Sequence, residues 1–107
     1  MKTRPTRAAI VRAQQALLSR VLLDDDPARE CWACGALPPG GIELERAHIL
    51  AARDGGGVEP SNFFLLCATC HREQPDDAPR DEQVRWLLAH ESDVARTWRL
   101  TASGARA

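Results

Sequence analysis

Two cysteine pairs of identical spacing, Cys31-Trp32-Ala33-Cys34 and Cys67-Ala68-Thr69-Cys70, constrain this chain more than any other feature of it. Two intervening residues let the backbone turn back on itself, so each pair can present both sulfurs from one tight knuckle. In an oxidising compartment the four thiols could close disulfides; in a reducing one they would gather a metal ion. The N-terminus argues for the second. Arg12, Gln14, Gln15 and Arg20 interrupt the apolar residues that follow Thr3-Arg4-Pro5-Thr6-Arg7, so no signal-peptide core forms. No run approaches the roughly 20 apolar residues of a membrane span. The expectation is a cytoplasmic protein with no membrane role. A redox dithiol normally opens a helix in a βαβ setting, which is absent here. Four thiolates at about 2.3 Å fill the tetrahedron of Zn²⁺ and leave no open position, so a zinc ion on Cys31, Cys34, Cys67 and Cys70 would be structural.

A staple of this kind meets a need. At 107 residues the chain fits one domain, 1–107, and its three Trp, two Phe, single Met and absence of Tyr make a thin core. The formal net charge of -1 lacks the basic balance of many DNA-binding domains. Its arginines are unevenly placed, however: Arg4, Arg7, Arg12 and Arg20 lie in the first fifth, while acid is blocked in Asp24-Asp25-Asp26 and Asp76-Asp77.

Apolar residues at Ile10, Val11, Leu17, Leu18, Val21 and Leu22 recur at helical spacing and predict an N-terminal helix over 6–23. Asp24-Asp25-Asp26-Pro27 stops it, because acids oppose the dipole at a helix C-terminus and proline disfavours helix before it. Pro38-Pro39-Gly40-Gly41 reads as a turn. In the strand candidate over 42–49, alternation puts Ile42, Leu44, Arg46 and His48 on one side and the acids on the other. A glycine loop, Gly55-Gly56-Gly57, precedes the continuous apolar run Phe63-Phe64-Leu65-Leu66, long enough for a buried strand and too short for a helix. The glycines are no phosphate cradle, since no GK[ST] follows. A C-terminal helix is predicted over 81–100, with Asp81 as N-cap and Val84, Leu87, Leu88, Ala95 and Trp98 as its apolar stripe. His90 within it has no motif around it.

Between the knuckles stand His48, then Asn62 fourteen positions on and His71 twenty-three on. The string CWACG…ELERAHIL…GGGVEPSNFFLLCATCHRE resembles the HNH endonucleases over residues 31–74: a cysteine pair, a strand ending in His-Ile, a glycine loop, Asn before an apolar strand, and a CxxCH knuckle. The resemblance implies a small α+β fold with a ββα-metal (HNH, or His-Me finger) core flanked by the two helices, and metal-dependent hydrolysis of phosphodiester bonds in DNA. His48 matches the general base, Asn62 the residue that braces the loop and helps orient it, and His71 a metal ligand at the start of the helix.

These residue types suit those roles. Imidazole is mostly neutral at pH 7 and can take a proton from attacking water; a divalent cation offsets charge on phosphoryl oxygens. Mg²⁺ or Mn²⁺ suits an oxygen-rich substrate, and a histidine ligand also admits Ni²⁺. Ala47 stands where the family usually has a ligating Asp or His, so the ion would rest on His71, phosphate, water and a carboxylate from Glu45 or Glu73. Arg46, Arg53 and Arg72 flank the site as candidate phosphate contacts, because a guanidinium fork matches phosphate oxygens. Ala47 also defines the alternative: a catalytically weak or inactive HNH-fold zinc module that binds nucleic acid or a protein partner, as in phage DNA packaging.

Overall fold

The computed structural model describes residues 3–21, 23 and 26–90. Among these residues it is a small α+β structure built on one two-stranded antiparallel sheet with four α-helices, two single 3-10 turns and a four-cysteine cluster. Helix α1 spans Arg7–Ala13; Thr6, extended at its N-cap, accepts from the Ala9 amide at 3.1 Å and satisfies one of the open donors of the first turn. The helix breaks at Gln14 and resumes as α2, Gln15–Leu18. The single helix predicted over 6–23 is therefore two short pieces ending at Leu18. Gln14 is the cause. It is buried in the same row as Ile10, Leu17 and Val21. Its amide donates to the carbonyls of Ser61 (3.0 Å) and Phe63 (2.9 Å), while its oxygen accepts from Arg80 at 2.9 Å. Three such bonds satisfy a buried carboxamide and fix the N-terminal segment to the sheet.

The first knuckle is closed by Cys31 N–H donating to Ala36 at 2.9 Å and Gly35 N–H to Cys31 at 2.8 Å, with Gly35 at φ 76°. Trp32, fully buried, seats it: its backbone amide donates to Leu65 and its indole to Pro27 at 2.7 Å. The diproline-diglycine segment turns, with Ile42 N–H donating to Pro39 and both glycines at positive φ.

Strand β1, Glu45–His48, pairs with β2, Phe63–Leu66, in the register Glu45 to Leu66 and His48 to Phe63. It is shorter than the 42–49 expected. Ile42 lies outside it and is 64% exposed, whereas Ala47 is the buried residue of the strand and Arg46 and His48 are half-buried. All four residues of β2 are buried, so both of its faces are covered, as its unbroken apolar run requires. Helix α3, Ala68–Glu73, follows β2 after one residue and packs on both strands, and α1 packs on β2.

Helix α4, Arg80–His90, begins one residue before the expected cap, so Asp81 sits in its first turn, where a carboxylate favours the dipole. Leu87 and Gln83 are its buried residues. The remainder of the predicted 81–100 helix, with Ala95 and Trp98, lies outside the described residues. Among the described residues, no helix is long and apolar enough to cross a membrane.

Candidate metal centre and adjoining cleft

The two knuckles meet. The sulfurs of Cys31, Cys34, Cys67 and Cys70 all lie within 4.8 Å of one another, and Cys34 Sγ is 3.9 Å from Cys67 Sγ. A disulfide would need about 2.05 Å, and the four are free thiols. Ligands about 2.3 Å from a tetrahedral ion stand ~3.8 Å apart, so the cluster fits a metal ion such as zinc. Its protonation agrees. The neighbouring thiols of Cys34 and Cys70 donate to Cys31 and hold its pKa far down. Cys34 and Cys70 are in turn pushed up, first by their hydrogen bonds to Cys31 and Cys31 and Cys34 respectively. One sulfur ionises at the others' expense, and a cation relieves that conflict.

The cluster sits directly against the second set of candidate residues. Cys67 stands at the N-cap of α3, and its carbonyl accepts from the His71 amide at 2.9 Å, so the second cysteine knuckle also sets the position of His71. His71 Nδ1 lies 2.7 Å from Glu45 Oε1 on β1. A carboxylate only accepts, so Nδ1 carries the proton of this pair and Nε2 is the nitrogen that faces away from Glu45.

His71, Glu45 and His48 line one cleft of about 500 Å³ with Arg4, Arg7 and Arg46. His48 ends β1 with its ring against Phe63, centroids 4.5 Å apart. Its pKa is lowered, chiefly by burial and then by the charges of Arg4 and His71. Its carbonyl accepts from Gln74 at 3.0 Å, and Gln74 is tied to the buried Gln83. Arg46 donates from Nε to the Pro5 carbonyl at 2.7 Å, and Arg7 to the Leu44 carbonyl at 3.0 Å. Arg46 is likewise lowered from its usual pKa by burial, then by Arg7 and Arg4.

Not every candidate converges here. Asn62 lies outside the cleft lining: its side chain accepts from Leu50 N–H (2.9 Å) and donates to Leu50 and Gly57 carbonyls (3.0 Å each). Its backbone carbonyl accepts from Ile49 N–H, next to His48. The loop it ties is tight, since a Cβ on Gly56 would collide with the Leu50 carbonyl. Arg53, 3.9 Å from Asp54, and Arg72 and Glu73 are exposed and do not line the cleft. Of the three residues expected to hold a divalent ion, His71 and Glu45 line the cleft and Glu73 does not. Among the described residues, only the four cysteines gather three or more potential ligands.

Arg4, Arg7, Gln74 and Asp76 line the cleft and were not singled out from sequence as site residues. The arginine-rich N-terminus was the available signal, but nothing in its spacing says that Arg4 and Arg7 come to β1 while Arg12 and Arg20 do not. Comparison of the chain with protein-family models, curated proteins and solved structures gives no match in any of the three.

Proposed function

We propose that this chain is an HNH-type, ββα-metal nuclease module that hydrolyses phosphodiester bonds of DNA, with His48 as general base. The observation that carries this reading is the cleft itself. A neutral-leaning imidazole, an imidazole-carboxylate pair and three guanidinium groups share one concave surface, in a strand-strand-helix segment flanked by the cysteine cluster. Burial keeps His48 unprotonated at neutral pH, as a base that takes a proton from attacking water must be. Arg46 offers its guanidinium to phosphate oxygens, and Pro5 and Gln74 fix the strand from which both groups project.

The donor chemistry beside His48 fits a divalent ion in part. His71 Nε2 would hold it, with water and phosphate oxygens completing the shell; Glu45 is bonded to Nδ1 on the other side of the ring and would ligate the ion only by giving up that bond. When bound, such an ion supplies Lewis-acid stabilisation of charge on the phosphoryl and leaving oxygens. Bonded to Nδ1 as it is, Glu45 orients the His71 ring.

A second reading has its own observation. Ala47 is completely buried and its methyl group cannot ligate, which favours a module that binds DNA or a protein partner without cutting. Supercoiled plasmid incubated with the zinc-loaded protein and Mg²⁺, Mn²⁺ or Ni²⁺ separates the two. Nicked or linear product supports the nuclease, and its absence at high protein concentration, with retarded migration of the plasmid, supports the binding module. Ala47→Asp sharpens the test. Burying a carboxylate there should destabilise the ion-free protein by about 3 kcal/mol or more, and Mn²⁺ should restore stability and raise cleavage.

A further inference from the structure

We propose that the N-terminal arm, through Arg4 and Arg7 acting with Arg46, is the phosphate grip of this cleft, and that Arg53 and Arg72 are not part of it. The ligand is the phosphodiester backbone of a nucleic acid. The arm is fastened to the strand that ends in His48. Pro5 accepts from Arg46 Nε, Arg7 Nε donates to Leu44, and Arg7 Nη1 reaches Glu43 Oε2 at 3.4 Å. The hydrogen bonds use Nε of Arg7 and Arg46, and with Arg7 Nη1 on Glu43 they leave Arg7 Nη2 and both terminal nitrogens of Arg46 as further donors. Three guanidinium groups thereby line one cleft, and Arg46 is lowered first by burial and then by the charges of Arg7 and Arg4, against a raising effect of Glu43. Folding them together without an anion costs free energy; a chain of phosphates spaced along a strand relieves it and matches the fork geometry. Three carboxylates line the same cleft: Glu43 faces Arg7 from 3.4 Å, Glu45 is bonded to His71, and Asp76 is exposed like Glu43, so that solvent screens both and leaves the guanidinium groups open to phosphate.

The remaining arginines supply the control. Arg12 and Arg20 lie on the same N-terminal segment, carry the same charge, are exposed, and do not line the cleft. Binding of a fluorescent DNA duplex to zinc-loaded protein, without added divalent ion, is measured against salt for the wild type, Arg4→Gln, Arg4→Gln/Arg7→Gln and Arg12→Gln/Arg20→Gln. Each phosphate contact contributes about 0.9 to the slope of log K against log salt. The arm double variant should therefore lose about 1.8 of slope, so raising salt from about 50 to about 200 mM weakens it roughly twelvefold less than wild type. Arg4→Gln alone, at an exposed residue whose loss spares the Arg7 and Arg46 contacts, should lose about 0.9. The Arg12/Arg20 variant should keep the wild-type slope.

Equal slope loss in both double variants would overturn the grip in favour of bulk charge, and so would unchanged slopes in the arm variants. Poly-glutamate binding as tightly as DNA would also overturn it. The proposal shares its cleft with the nuclease reading but fails separately: the predicted slopes in a protein that cuts nothing would overturn only the nuclease, and cleavage with unchanged arm slopes only the grip.

Discussion

Gln83 is fully buried in α4, yet its carboxamide holds three partners. Its oxygen accepts from Gln74 at 2.7 Å, and its nitrogen donates to the carbonyls of Ile49 (2.6 Å) and Ala78 (2.9 Å). Gln74 passes the restraint on to the His48 carbonyl, so one side chain anchors the last residue of β1 and Ile49 just after it. Gln83→Ala breaks all three bonds. Each is worth about 1 kcal/mol net, and a buried carbonyl left without a donor adds about 1–3 kcal/mol. Ile49 is buried and its carbonyl pays that penalty, whereas Ala78 is half-buried and water can replace the lost donor. The expected loss is about 4–6 kcal/mol, a large share of the roughly 5–15 kcal/mol that holds a domain together. Urea unfolding of the zinc-loaded protein, followed by Trp fluorescence, measures it as a fall in midpoint at constant slope. The ring resonances of His48 should shift as well, because its backbone loses its tie to α4. A loss below about 1 kcal/mol would refute the claim that this network is what fixes β1 to α4.

Two further outcomes follow from the same geometry. Removing the metal from the four cysteines should abolish cooperative unfolding, since zinc binding contributes on the order of 10 kcal/mol in finger peptides; metal analysis should give one zinc per chain, and full cooperativity after verified removal would contradict the assignment. Because His48 is depressed below its ordinary 6.5, the unfolded chain takes up its proton first as pH falls. Its stabilising contribution is therefore complete above pH ~6.5 and is lost as pH drops toward the folded value. The acid limb of kcat/KM should share that lower midpoint, and an NMR titration of the His48 ring at or above ~6.5 would contradict it.

The parts of the molecule legible in the sequence are those set by local rules. Two-residue spacing forces a knuckle, so the four cysteines could be paired on paper. Phe63 to Leu66 could be read as a strand because four consecutive apolar residues need two covered faces. What stayed hidden depends on distant partners. Gln14 looks like a polar interruption of an amphipathic helix, yet it is buried, because its acceptors lie 47 and 49 residues away. Ile42 continues the alternation of β1 in sequence but lies outside the strand. Glu45 and Glu73 were equivalent candidates beside the site. The register that sets Glu45 opposite Leu66, two residues before α3, is what brings Glu45 to His71. Arg4 and Arg7 could be placed only by their bonds to Leu44 and the docking of Pro5 on Arg46.

The central claim is that this cleft cuts phosphodiester bonds and that His48 takes the proton. The most direct measurement is plasmid cleavage by His48→Ala beside the wild type, with zinc content and duplex affinity determined on the same preparations. The account predicts a fall of about 10²–10⁴-fold in cleavage rate, with zinc content and affinity essentially unchanged, because a general base contributes to the transition state and not to phosphate binding. Wild-type cleavage by His48→Ala would place the chemistry elsewhere and contradict the account.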